Sequence, residues 1–239
     1  YDDIMTYICS TLGIPVYLIA GNHDGADRIS QCSELLKKSG LYISGALEKD
    51  PYVVRGEDTD IFLLPWISTD KVISIYPDEK DNIKSMEDAY RVVLDHYRES
   101  FETGKKNILA AHAYIIDAET SESDKAAVVG TATMVGASVF DGFDYVALGH
   151  LHGPQKINEH IRYSGTPMAY SFGKEEKQEK SVVIIDTDKM EIKTVPVPQL
   201  RKRITLSGKY KELLEGEYSR DILDAYVRLE ISDAFVTLE

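Results

Sequence analysis

Two imidazoles close an apolar run near the middle of the chain: Tyr145-Val146-Ala147-Leu148-Gly149 reads as a buried strand, and it stops at His150-Leu151-His152. Alternate side chains of an extended segment point the same way, so this spacing predicts that His150 and His152 converge on one volume while Leu151 faces the core. Two other apolar runs end in similar fashion. Ile14 to Ala20 stops at Gly21-Asn22-His23-Asp24, and Ile108 to Ala111 stops at His112. Three strand ends delivering Asn, His and His-x-His describe one pocket assembled from distant segments. Neutral imidazoles and an amide oxygen are borderline-to-hard donors that suit Mn, Zn or Fe, and no cysteine belongs to the set. Two such ions about 3.5 to 4 Å apart are the usual device for splitting a phosphate ester, because they clamp phosphoryl oxygens and neutralise transition-state charge. A carboxylate must bridge them.

Each histidine has a plainer reading. Alone, His112 would be a packed core histidine; beside the other two stations it becomes a ligand. His150 and His152 at a buried strand end would incur a desolvation cost without a partner, which favours ligation. His23 could brace its loop. His96, on the charged side of a helix, and His160, in the turn Asn158-Glu159-His160, are read as structural.

The elements around these stations alternate between helix and strand. Tyr1 to Leu12 reads as the tail of an amphipathic helix stopped by Gly13, and Arg28 to Lys38 as a helix closed by Gly40. Val53 to Arg55 and Ile61 to Leu64 form a hairpin around Gly56-Glu57-Asp58. From Met86 to Thr103 a helix carries Met86, Tyr90, Val93, Leu94, Tyr97 and Phe101 on one face, with Ser85 and Asp88 as a capping box and Gly104 at its end. Asp117 to Lys125 reads as a mobile polar surface loop near the pocket, and Lys174 to Lys180 as a solvated one. Short strands cluster late: Arg162-Tyr163, then Ser181 to Asp186 paired with Glu191 to Val197. Pro196 and Pro198 mark an exit. Beyond Leu200 come a strand at Arg203 to Leu206, a helix around Tyr210 to Leu214 and a strand at Ala225 to Ile231. The pattern predicts an α/β fold of two packed sheets with helices outside.

At 239 residues the chain can bury a large core. Cys9 and Cys32 are too few for a disulfide framework and read as helix-packing residues, so a reducing, cytoplasmic setting is expected, with no apolar run of membrane-spanning length. The formal net charge of −13 argues against a protein that holds nucleic acid by its own bulk electrostatics. A polyanionic substrate would have to be attracted locally, as bound divalent cations do. Arg201-Lys202-Arg203 is weak evidence for a phosphate contact, and Tyr163, Tyr170 and Phe172 read as core rather than base-stacking residues.

Gly21-Asn22-His23-Asp24, Ala111-His112 and Gly149-His150-Leu151-His152 resemble, in order, the last three motifs of the calcineurin-like metallophosphoesterases. Tyr163-Ser164-Gly165-Thr166-Pro167, Tyr170-Ser171-Phe172, Lys180-Ser181-Val182-Val183 and Pro196-Val197-Pro198 are similar to the nuclease subunits of that family that partner an SMC-like ATPase. The resemblance implies a two-sheet sandwich core over residues 1–198 and, from 199 to 239, the start of a small α+β capping domain. It implies two divalent ions, Mn above all, with Asn22, His112 and His150 on one and His152 on the other, His23 as the unliganded catalytic histidine and Asp24 as a supporting residue behind the ligands. It further implies a homodimeric DNA exonuclease and endonuclease, acting in repair, recombination and replication. The family's first two motifs, Asp-x-His and Gly-Asp-x-x-Asp, are not in this sequence, and Asp2-Asp3 begin a helix instead; the chain is therefore expected to be a fragment with half its metal site missing and little activity of its own. Two other functions remain open at this stage: a generic phosphodiesterase or phosphomonoesterase, and a scaffold that has lost catalysis.

Overall fold

The computed structural model describes residues 1–116, 118–125 and 133–233. Its centre is a six-stranded mixed sheet. Four strands run parallel in the order β4 (Thr59–Leu64), β5 (Lys106–His112), β8 (Tyr145–Gly149) and β10 (Ile161–Tyr163), with β3 (Val53–Val54) and β9 (Gln155–Lys156) antiparallel at the edges. The two central strands carry apolar runs, Ile108-Leu109-Ala110-Ala111 and Tyr145-Val146-Ala147-Leu148, whose residues are buried except for the half-buried Ala110 and the exposed Ala147. A separate parallel pair joins β1 (Val16–Ile19) to β2 (Leu41–Ser44). The backbone N–H of Trp66, just past β4, donates to the Ala20 carbonyl at 2.9 Å, so the carboxyl end of β1 lies beside that of β4. The protein is a mixed α/β fold.

The helix Met86–Glu99 covers one face of the large sheet. Met86, Ala89, Tyr90, Val93, Leu94 and Tyr97 are buried, and the Ser85 hydroxyl caps the first turn by accepting from the Asp88 N–H at 3.1 Å. It ends four residues before the expected Thr103. The reason is tertiary: Arg55 donates to the Ser100 carbonyl at 2.8 Å, and Phe101 leaves the helix to pack edge-on against Phe62 and Phe143. Tyrosine hydroxyls then reach across to strand ends. Tyr97 donates to the Leu63 carbonyl (3.2 Å) and Tyr90 to that of His112 (2.6 Å). Burial pushes the Tyr90 phenol above its usual range, so its proton stays in place to be donated.

Other expectations are corrected. The segment read as one helix from Arg28 to Lys38 is two short ones, Ala26–Ile29 and Ser33–Lys37, because Cys32 between them takes a left-handed conformation (φ 63°). That residue is exposed and packs no helix. At the N-terminus, Asp2–Thr6 is α-helical and Tyr7–Thr11 widens into a π turn before Gly13 at φ 68°. Within the polar segment expected to be a loop, Asp117 lies outside the described residues and Glu122–Lys125 forms a helical turn. Close by, β6 (Tyr114–Ile115) pairs in parallel with β7 (Met134–Val135). Downstream, β11 (Ser181–Asp186) and β12 (Glu191–Pro196) make the expected hairpin, while β13 (Arg203–Gly208) and β14 (Tyr226–Ile231) pair in parallel.

Candidate metal centre

The site lies where ligands usually bind in parallel sheets, off the carboxyl ends of neighbouring strands. Strands β5 and β8 are adjacent and in register such that His112 stands opposite Gly149. The next residue, His150, has φ 114°, a conformation that L side chains seldom adopt and that costs about 1–3 kcal/mol. The turn breaks the extended geometry expected of His150-Leu151-His152. His150 swings onto His112, with Nδ1 3.2 Å from His112 Nε2 and the rings edge-to-face at 5.2 Å, whereas His152 faces other partners. Leu151 is buried, as its position between them predicts.

The Gly21 turn after β1 brings Asn22 to the same place. Its Oδ1 lies 2.9 Å from His112 Nε2. Backbone and ring could not come so close if the flanking glycines bore side chains. A Cβ on Gly21 would sit 2.7 Å from His112 Cε1, and one on Gly149 would sit 3.1 Å from His112 Nδ1. The Asp24 carboxylate closes the turn by accepting from the Gly21 N–H at 2.7 Å. His23 is exposed beside it.

Asn22 Oδ1, His112 Nε2 and His150 Nδ1 therefore share one small space. All three are lone-pair donors, and the single proton of a neutral His112 cannot serve both neighbours from Nε2. Ligands about 2.1 Å from a divalent ion and at right angles to one another stand about 3.0 Å apart, close to the two separations found. Electrostatics agree with the donor role: burial first, then the neighbouring His150, lowers the His112 pKa to about 4 against a partial opposing pull from Asp24. His150 is lowered as well, mainly by burial, although Asp124 pulls the other way. Both rings are thus neutral at physiological pH, the form that coordinates a metal. Among the described residues no three His, Cys, Asp or Glu side chains meet at one point; the trio consists of two imidazoles and one amide.

His152 stands on a different foundation. Its Nδ1 is 2.7 Å from Ser123 Oγ and 3.5 Å from Asp124 Oδ1, and its N–H donates to Asp124 at 2.9 Å. Behind Ser123 lie Glu175 and Lys180, each only 1% exposed, as an ion pair at 3.1 Å. Burial alone would raise the Glu175 pKa. Hydrogen bonds from Ser123, the Tyr170 N–H, Ser171 and Lys180 outweigh it and hold the carboxyl at about 2. These residues correct the solvated reading of the Lys174–Lys180 run: Glu175 and Lys180 turn inward because each supplies the other's counter-charge. In a sequence of mixed charges only their pairing in space distinguishes them from neighbours such as Lys177 and Glu179. Tyr170 is half exposed with its ring 5.3 Å from that of His152, and Tyr163 is buried and donates to the Ala113 carbonyl at 2.7 Å.

The remaining histidines stay apart. His96 stacks flat on Tyr76 (4.5 Å between ring centres), and His160 approaches the Asp144 carbonyl at 3.2 Å. A cavity of about 130 Å³ opens beside the trio, bounded by Asn22, His150, Trp66, Tyr90 and Tyr114. A roomier cleft of about 700 Å³ around Tyr76, Asp78, His96 and Glu99 contains none of the strand-end residues.

Residues 1–154 match the model of the calcineurin-like phosphoesterases, and the chain belongs to that family. It is similar to the SbcD component of the nuclease SbcCD from Staphylococcus epidermidis, with 32% identity over 220 residues that cover 90% of this chain and 58% of that protein. A second relative, the corresponding SbcCD nuclease component of Staphylococcus saprophyticus, is 30% identical over 223 residues, 92% of this chain and 58% of that protein. The chain thus spans under two thirds of the length of these curated relatives.

Proposed function

We propose that the whole protein is the nuclease subunit of an SbcCD-type complex, hydrolysing DNA phosphodiester bonds with two divalent ions, most simply Mn, as a 3′-to-5′ exonuclease on duplex ends and as an endonuclease. The observation that carries this reading is the convergence of Asn22 Oδ1, His112 Nε2 and His150 Nδ1, at 2.9 and 3.2 Å, in a family of phosphoesterases. In this reading Asn22, His112 and His150 hold one ion and His152 contributes to the second. When bound, the ions would supply Lewis acidity and charge neutralisation at the phosphoryl group. The protein's own part is to hold two neutral rings and the Asn22 amide oxygen in place. His23, exposed next to the trio, is assigned the proton that the departing oxygen needs. Asp24 braces the turn that presents both Asn22 and His23, through its bond to the Gly21 N–H.

Residues 1–198 are read as the nuclease core and 199–239 as the beginning of a capping domain. The motifs Asp-x-His and Gly-Asp-x-x-Asp do not occur in these 239 residues, so by themselves they are expected to bind metal weakly and to hydrolyse little. A net charge of −13 suits a subunit whose basic DNA track comes from its partner, here the SMC-like ATPase SbcC, within a homodimeric, cytoplasmic repair and recombination complex that also serves replication. Among the described residues no helix is long and apolar enough to cross a membrane.

The test compares Mn-dependent cleavage of linear duplex DNA with that of a chromogenic phosphodiester by the full-length protein, with and without His23→Ala. Preference for DNA, and a loss of about 10²- to 10⁴-fold on replacing His23, is expected. Cleavage of the small diester alone would point to a generic phosphodiesterase, and DNA cleavage that survived His23→Ala would remove the role given to that residue.

A further inference from the structure

His152 is gripped on its ring and at both ends of its backbone. The N–H donates to Asp124 at 2.9 Å, the carbonyl accepts from Lys180 Nζ (2.9 Å) and from the Thr166 N–H (3.0 Å), and ring Nδ1 meets Ser123 Oγ at 2.7 Å. The direction of that last bond follows from what lies behind it. Glu175 Oε1 makes a very short contact with Ser123 Oγ, and the buried Lys180 ammonium, 3.1 Å from Glu175 Oε2, pairs with it as a carboxylate that can only accept. Ser123 must therefore give its one hydroxyl proton to Glu175. Among the described residues, the other hydroxyl oxygen near Ser123 Oγ is Ser121 Oγ, 3.1 Å away, and it itself donates to Asp124 Oδ2 at 2.7 Å. With its proton committed, Ser123 offers only lone pairs to His152, and Nδ1 must be the nitrogen that carries hydrogen. Asp124 Oδ1, 3.5 Å from Nδ1, favours the same tautomer.

We propose that the buried Lys180–Glu175–Ser123 relay is a positioning device that fixes His152 as the Nδ1–H tautomer and reserves its Nε2 lone pair for a divalent cation. Lys180 completes it. Its three N–H groups serve Glu175, Thr166 and the His152 carbonyl, so one ammonium both neutralises the carboxylate and anchors the residue that the carboxylate orients. Outer partners of this kind set ligand tautomer and orientation, and their loss typically weakens metal binding by about 10- to 100-fold. The inference rests on the two-ion reading for its purpose, but not for its geometry.

The experiment uses full-length protein labelled with ¹⁵N at histidine. Long-range ¹H–¹⁵N correlation of the metal-free protein, with His152 assigned by its absence from His152→Gln, shows which ring nitrogen bears the proton. Calorimetric titration with Mn²⁺ gives the affinities of the two sites. Wild type is expected as pure Nδ1–H. Ser123→Ala, which leaves the Glu175–Lys180 pair whole, is expected to give mixed tautomers and one site weakened about 10- to 100-fold with the other unchanged; Ser123→Thr should restore both readings. A wild-type ring protonated at Nε2, or a Ser123→Ala protein unchanged in tautomer and in both affinities, would overturn the proposal. Wild type taking up no divalent ion would instead defeat the metal-centre reading, and the metal-free spectrum would still judge the relay even if the alanine variant failed to fold.

Discussion

The two halves of the candidate site hold their histidines by opposite means. Asn22, His112 and His150 gather at the ends of β1, β5 and β8, where they touch one another and, among the described residues, no carboxylate lies within bonding distance of the two rings. His152, two residues beyond His150, is enclosed by Asp124, Ser123, Glu175 and Lys180. The first group is placed by backbone: strand register, a strained φ at His150 and glycines that let the ring in. The second is placed by side chains through buried charge. A donor set fixed by strands can lose a member without loosening the fold, whereas a donor fixed by a buried ion pair cannot lose its support without destabilising the interior around it.

Substitutions should separate these regimes. The largest effect is expected at Glu175→Ala, which strands Lys180 in the interior without its counter-ion and should cost about 3–5 kcal/mol in denaturant unfolding. In the full-length protein Asn22→Ala, by contrast, should leave stability within about 1 kcal/mol while abolishing tight metal uptake. Equal losses of stability from the two would erase the distinction between the halves.

Acid offers a second way to separate them. The His112 pKa is depressed from 6.5 to about 4, so the unfolded chain takes up a proton before the folded one. In metal-free protein its contribution is intact above pH 6.5 and is lost as pH falls toward 4, by roughly 3 kcal/mol in all. Glu175 is also depressed, to about 2, so its share is present above pH 4.5 and disappears as pH falls toward 2. Stability against pH should therefore fall in two steps, and His112→Asn should shrink the upper one, to which His150 also contributes, while leaving the lower one in place.

Smaller changes probe the cradle. Gly21→Ala brings a methyl to 2.7 Å from His112 Cε1 and should destabilise by about 1–3 kcal/mol, while calorimetry registers weaker metal binding as the ring is displaced. Tyr90→Phe removes the donor to the His112 carbonyl and should cost about 1 kcal/mol, the least of these effects. A Tyr90→Phe protein with unaltered metal affinity would show that β5 alone sets the position of His112.

The trio could be read in advance because each member follows a short apolar run that forms a strand, buried in β5 and β8 and partly buried in β1, and a polar residue at such an end has few other uses. The long helix was legible from its periodicity, apart from its end, which Arg55 and the aromatic cluster around Phe101 decide. The support for His152 was not legible. Ser123 sits in a polar segment, Glu175 and Lys180 in a run of mixed charges, and local composition reads both as solvated. The bend at His150 was equally hidden, since nothing in Gly-His-Leu-His announces a positive φ on a histidine.

Residue order was enough to establish an α/β protein with three histidine-bearing or asparagine-bearing strand ends, because apolar periodicity and the polar residue that halts it are local properties. Which nitrogen of His112 meets Asn22, why His150 and His152 part company, and how a run of mixed charges sends one glutamate and one lysine into the interior depended on packing between segments far apart in the chain. Burial of a charge is favourable only when its partner is already in place, and no short stretch of sequence reveals which charges will meet.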